Sequence, residues 1–392
     1  MKRLFKTASV IMIAALISAC GNVNGNNGSA PGATGGNEEA SQNENQEIEV
    51  VDLNIGSVSG QAEEEIVEEN HDNQYRSELT NEWIDISLMD QRPIAVMVDN
   101  EITALDHYGI NSADIVYEMM NSTANDRVTR LMVIVKDYQS ITQFGSVRSV
   151  RPTNFLIAAE YNAIICHDGG PFYINDYIAR DYSNNLNGGF ARFSNGKATE
   201  FTEYITYETY NNPTTGKSYP GLAERLESSG YDTEYNGYYS GAHFTFSDTE
   251  FDLSSYTSAI TADAVYMPFY HNDSNLQYNP ETGCYEYYEY GMPHVDPLDD
   301  GNITSFKNVI IECCSFTQYD ENGYMIYNVI RENSEGYYLT NGMAIPIYCS
   351  KAGETDLTVW TVKETGEEIV LNTGKTYVAI VPADTWNEVV VE

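Results

Sequence analysis

Three short apolar runs constrain the fold of this chain more than any other feature. Pro93-Ile94-Ala95-Val96-Met97-Val98 ends in Asp99-Asn100, Leu131-Met132-Val133-Ile134-Val135 follows, and Ala163-Ile164-Ile165-Cys166 ends in His167-Asp168-Gly169-Gly170-Pro171. A buried helix needs roughly ten or more patterned residues, so runs this short read as strands covered on both faces. Between the second and third, Pro152 to Tyr161 reads as a helix with proline in its first turn, where the missing N–H leaves no bond unmade. Ser112 is a candidate cap for a helix with Ile115, Val116, Met119 and Met120 on its apolar face; a strand is the alternative there. Buried strands alternating with helices give an α/β N-terminal domain over residues 83–232.

The second half reads differently. Tyrosine is dense, and short alternating runs such as Lys307–Glu312, Met343–Tyr348 and Thr376–Val381 are separated by turn signals at Asn341-Gly342, Gly366 and Asn372-Thr373-Gly374. Residues 255–390 are expected to form a mainly β C-terminal domain, a sandwich or open barrel.

The N-terminus reads as an export signal over residues 1–19. Lys2, Arg3 and Lys6 precede an uncharged apolar stretch and then Ile17-Ser18-Ala19-Cys20. The stretch falls short of the roughly 20 residues of a membrane span. A cysteine after small residues resembles the bacterial lipobox, so Cys20 is expected to be the lipidation site and new N-terminus. Each buried CH₂ of a palmitate-type chain contributes about 0.8 kcal/mol, and two chains hold stably where one does not. Residues 21 to 49 are almost wholly Gly, Asn, Ser, Glu, Gln and Ala, and acidic runs continue beyond them. Nothing there can bury a core, so residues 20–82 read as a lipidated cysteine and disordered acidic tether. About 60 flexible residues span on the order of 45 Å. The body is therefore expected to stand on the extracytoplasmic face of the cell membrane, clear of the lipid heads.

With 58 acidic against 20 basic residues, the body repels nucleic acid and anionic lipid surfaces. Of six cysteines, the five beyond Cys20 (Cys166, Cys284, Cys313, Cys314 and Cys349) are odd in number and show neither dense regular spacing nor a zinc motif. They read as small apolar side chains rather than a disulfide framework.

Against the acidic background Arg127, Arg130, Lys136, Arg148 and Arg151 are concentrated in one stretch. Gly145-Ser146-Val147-Arg148-Ser149-Val150-Arg151-Pro152 leads into the expected helix. Arginine forks at a helix start match a phosphate or carboxylate, and the alternative is pairing with the fold's own acids. In an α/β sheet ligands sit beyond the carboxyl ends of the strands. Parallel strands would bring Asp99, Asn100, His167, Asp168, Arg148 and Arg151 to one edge as a ligand site and leave Arg130 at the other; an antiparallel second strand would swap those roles. His167 and Asp168 are the candidate catalytic pair, as acid/base or metal ligands, but successive strand residues point apart, and no G-x-S-x-G or H-E-x-x-H occurs. In Tyr290-Gly291-Met292-Pro293-His294-Val295-Asp296 a histidine and an aspartate share a turn; a packed, satisfied histidine is preferred there over a metal ligand.

These segments, together with Ala113–Glu118, Val128-Thr129-Arg130, Tyr278–Tyr285, Asn308–Ile311 and Asn372–Tyr377, resemble the uncharacterised DUF3048 family of YerB-like lipoproteins. The resemblance spans about residues 85 to 385. It implies an N-terminal and a separate C-terminal domain after a lipoprotein signal, and it brings no activity. The chain departs from the family pattern at Asn121–Asp126, where a glycine-rich stretch is usual, and at Lys197–Glu200, where a Pro-His-Asn is usual.

The leading expectation is a lipid-anchored binding protein for an anionic envelope ligand, with no cofactor and no nucleic-acid partner. A hydrolase of envelope material using His167 and Asp168, and a scaffold docking another envelope protein, are the alternatives.

Overall fold

The structure, a computed structural model, describes residues 71–392; the signal sequence, Cys20 and the expected tether up to residue 70 lie outside the described residues. The fold is mostly β. Its main sheet has eleven strands: β1 (Ile94–Asp99), β2 (Ile115–Met120), β3 (Thr129–Val135), β4 (Ile164–His167), β5 (Asn185–Asn187), β6 (Ile260–Thr261), β7 (Asn308–Cys314), β8 (Arg331–Thr340), β9 (Met343–Lys351), β10 (Val359–Val362) and β11 (Thr376–Pro382). Their order is β6-β9-β8-β7-β11-β2-β3-β1-β4-β5, with β10 pairing β9. The three apolar runs are the adjacent strands β3, β1 and β4, every residue of them buried.

The N-terminal segment is less clearly α/β than expected. Ile115–Met120 is a strand, not a helix, and β3 runs antiparallel to both β2 and β1. Only β1, β4 and β5 form a parallel set there. The helix expected from Pro152 is present as α1 (Pro152–Glu160) and stops at Asn162, whose φ of 51° is the left-handed geometry that ends helices. The C-terminal segment is β as expected. One of its strands, β11, lies between β2 and β7 and is parallel to both. The two sequence segments therefore share one continuous sheet.

The sheet is packed on both faces. On one, α1 sets Phe155, Leu156 and Ile157 against Met97, Met132 and Ile165. On the other lies a second sheet containing strands Ala264–Tyr266, Asn275–Asn279 and Cys284–Glu289. The last of these alternates, so Tyr285, Tyr287 and Glu289 point inward while Cys284, Glu286 and Tyr288 point out. The C-terminal segment therefore does not close a sandwich of its own, because the sheet that its second layer covers includes N-terminal strands. Folded structure also reaches back before residue 83. Gln74–Arg76 pairs with Trp83–Asp85, and Leu79 is buried in the core.

Candidate functional site

The polar centre of the molecule lies where β1 ends. Asp99 and Asn100 are both fully buried, and their side chains serve two different clusters.

Asp99 faces the arginines. Because β3 is antiparallel to β1, Arg130 at its start stands directly across from Asp99. The return loop brings Arg148 to the same place: its N–H bonds the Met97 carbonyl, and Val147 bridges Val98. Arg148 Nε is 2.8 Å from Asp99 Oδ2, and Arg130 lies 3.9 Å from Oδ1. Arg148 also meets the exposed Glu200 at 3.4 Å. Arg151 has no carboxylate partner among the described residues. It bonds the Asn121 and Val150 carbonyls and lies 5.1 Å from the Tyr324 ring centre. Ser149 Oγ accepts from both Arg130 (3.0 Å) and Arg151 (3.3 Å), which leaves its own proton free to donate. Arg130 and Arg148 flank Arg151 closely enough that burial and their like charges pull its guanidinium down to about 9. Two guanidiniums thus meet the buried Asp99 carboxylate, and a third, Arg151, lies beside them without a carboxylate of its own among the described residues, in a chain of net charge −38.

The Gly169-Gly170 turn runs beside this cluster. Gly169 has φ 77°, and a side chain on Gly170 would collide with Ile174 and press on the Val150 carbonyl. The turn leads to Phe172, 71% exposed, which packs on Tyr173; Tyr173 stacks on Tyr319 at 4.3 Å and meets Tyr324 at 6.3 Å. An aromatic ledge therefore borders Arg151.

Several expected members are elsewhere. Asn100 turns away from the arginines. His167 is sealed in the core: Nδ1 donates to the Gly169 carbonyl at 2.8 Å and Nε2 meets Asn185 Oδ1 at 3.2 Å. Asp168 points outward to Arg192 at 3.4 Å. The two diverge as successive strand residues do, so they form no catalytic pair. The first turn of α1 is buried, and the Arg151 N–H is taken by Asn154 Oδ1, so the helix start offers no anion seat. Lys136 is buried against Glu78, and Arg127 pairs with Asp384.

Asn100 faces a second cluster that sequence reasoning missed. It centres on Glu118, an acid in the otherwise apolar β2. Glu118 Oε1 accepts from Asn100 (3.1 Å), Thr129 (2.9 Å) and Asn272 (2.8 Å), and Oε2 from the hydroxyls of Tyr287 (2.9 Å) and Tyr377 (2.5 Å). Asn272 and Tyr287 also reach Glu289 Oε2. Burial and the Glu118 charge push the Glu289 carboxyl well above its usual range. Its Oε1 has no donor and lies 3.6 Å from His294 Nε2. His294 in turn meets His107, whose Nε2 bonds the Asp99 carbonyl. Burial lowers His107 to about 4 and holds His294 well below its ordinary range. The sequence signals were faint: one acid in each of two apolar patterns, and a histidine within a turn.

A mostly β sandwich with two sequence segments sharing one sheet, and a polar core at their junction, is the class the geometry defines. The N-terminal domain of DUF3048, a protein family of unknown function, matches residues 79–220, and the family's C-terminal domain matches residues 265–378. The chain belongs to the DUF3048 family. The crystal structure of the YerB protein from Bacillus subtilis is similar, with a TM-score of 0.63 and 19% identity over 81% of this chain and 99% of that one; at that identity the likeness is one of fold. No curated protein matches.

Proposed function

We propose that this chain is a lipoprotein, held through Cys20 on the extracytoplasmic face of the cell membrane, whose body binds an anionic envelope glycan. The observation that carries the reading is the set of three neighbouring guanidiniums: Arg130 and Arg148 on the buried Asp99, and Arg151, which has no carboxylate partner among the described residues and shares the Ser149 hydroxyl with Arg130. A phosphate or carboxylate group there gains charge-assisted bonds from preplaced forks and offsets the like-charge crowding of Arg151. The ledge of Phe172, Tyr173 and Tyr324 supplies flat apolar faces of the kind sugar rings pack on, which favours a sugar-borne anion over a free ion. The acidic remainder of the surface argues against lipid headgroups as the target. No helix among the described residues is long and apolar enough to cross a membrane. The envelope-hydrolase reading loses support, because His167 is enclosed and Asp168 faces away from it.

The test is calorimetric titration of the intact protein with a soluble phosphodiester-linked wall polymer, against an uncharged glycan of similar length. Saturable binding of the charged polymer alone, weakened at least tenfold by Arg148→Gln, supports the reading. Equal binding of both polymers, or of neither, overturns it.

A further inference from the structure

We propose that His107, Glu289 and His294 form a binding site for a divalent transition-metal ion of the zinc class, independent of the arginine cluster. One ligand atom from each lies within 4.8 Å of the others, and all three side chains are buried.

The hydrogen-bond pattern around the pair of histidines leaves a place for a cation. His107 Nε2 lies 2.5 Å from the Asp99 carbonyl, which only accepts, so this nitrogen carries the proton and Nδ1 presents a lone pair. On the other ring, His294 Nδ1 lies 3.0 Å from Thr304 Oγ. Thr304 gives its single proton to Asn111 Oδ1 at 2.7 Å. The orientation of that amide is fixed, because Asn111 Nδ2 donates to Asp299 at 2.8 Å and to the Asn302 carbonyl. His294 Nδ1 must therefore donate to Thr304, and His294 Nε2 presents the second lone pair. In these neutral tautomers the two nitrogens that face each other at 2.7 Å both present lone pairs. The third atom aimed at the same point is Glu289 Oε1, on a side chain 1% exposed and without a donor. Two imidazole lone pairs and a buried carboxyl oxygen without a donor converge on one point, and a cation there satisfies all three at once.

The donor set has the chemistry of zinc. Two histidines and a glutamate are a known three-ligand set for that ion, with a fourth position left open. Each histidine has a partner on its other nitrogen that fixes the ring, the Asp99 carbonyl for one and Thr304 for the other, as metal-bound histidines almost always do. Zinc–nitrogen distances of about 2.0–2.1 Å at tetrahedral angles set two ring nitrogens roughly 3.3 Å apart, so binding asks the rings to part by about half an ångström. A pocket of about 500 Å³, walled by Ile102, Leu105, Met292, Pro293 and Val295, also has Glu289 and His294 in its lining. Its mouth marks where the open position, and a small ligand on it, would be reached.

The intact protein is stripped with a chelator and titrated with Zn²⁺ in competition with a chromophoric indicator, and separately loaded with Co²⁺. The site predicts one equivalent of zinc bound at micromolar affinity or tighter, at least tenfold weaker binding in His294→Gln and in His107→Gln, and a four- or five-coordinate cobalt spectrum. Only weak, multi-equivalent binding, as a diffuse acidic surface gives, overturns the proposal. So does an octahedral cobalt spectrum, or tight binding untouched by both substitutions. The cobalt spectrum is read on the unsubstituted protein, so it decides the question even where a variant fails to fold.

Discussion

Replacing Glu118 removes the acceptor that ties the two sheets together, and the size of the effect follows from its partners. Five buried donors converge on its two oxygens: Asn100, Thr129, Asn272, Tyr287 and Tyr377. Glu118→Ala strands the Thr129 and Tyr377 hydroxyls, while Asn100 keeps Thr129 Oγ, and Asn272 and Tyr287 keep Glu289 Oε2. Each stranded buried donor costs about 1–3 kcal/mol. Water entering the space and the relief of Glu289 offset part of that, leaving a loss of about 2–4 kcal/mol. This is a large share of the 5–15 kcal/mol that typically holds a fold. Glu118→Gln behaves differently. Its carbonyl oxygen still serves Asn100, Thr129 and Asn272, and its amide faces two hydroxyls that can turn to accept, so the loss falls to about 1–2 kcal/mol. Equilibrium urea unfolding reads both as shifts in midpoint at unchanged slope. An alanine variant within about 1 kcal/mol of the unsubstituted protein, or a glutamine variant as damaged as the alanine one, would refute the network.

Four further outcomes are expected. Phe172→Ala leaves the urea midpoint unchanged, because the ring is 71% exposed, yet weakens binding of the charged polymer in the same calorimetric titration. Asp114 is held by burial at about 7 despite a bond from the Lys136 N–H. The fold keeps that proton in a range where the unfolded chain has released it from about 4 upward, so this group's contribution to stability falls as pH rises from about 4 through 7. Asp114→Asn should therefore gain on the unsubstituted protein between pH 5 and pH 8 in paired melting curves, and a constant difference contradicts the assignment. Cys166, Cys284, Cys313, Cys314 and Cys349 are free thiols, so reductant leaves the melting temperature unmoved and all five react with a thiol reagent once the protein is unfolded. Arg127→Ala, which loses a part-exposed pair with Asp384 and 6.0 Å contacts with the Tyr270 and Phe316 rings, costs about 1 kcal/mol in urea unfolding.

Much of the fold was legible in the chain because burial on both faces leaves a plain signature. The runs at Ile94, Leu131 and Ile164 are central strands, and Pro152 does open a helix. Ile115–Met120 defeated the helix reading because its apolar residues fit both periods, and the neighbours that decide between them, β3 and β11, come from distant sequence. Joining of the two segments was hidden for the same reason: β11 pairs with a strand about 260 residues away, and no local pattern encodes that. At the site, the arginines were found from their concentration against an acidic background, and the antiparallel β3 put Arg130 among them rather than at the far edge. His167 and Asp168 were misplaced because a strand end says nothing about which face is covered. Glu118, Glu289 and His107 went unseen, since a buried acid or histidine differs from an exposed one only in its neighbours.

The central claim is that the guanidiniums of Arg130, Arg148 and Arg151 form an anion seat. Selenate soaked into crystals of the protein reads this directly through its anomalous scattering. A peak is expected within hydrogen-bond reach of Ser149 Oγ and the Arg148 and Arg151 guanidiniums, absent from Arg148→Gln crystals. No peak there at saturating selenate, with Arg148 still closed on Asp99, would contradict it.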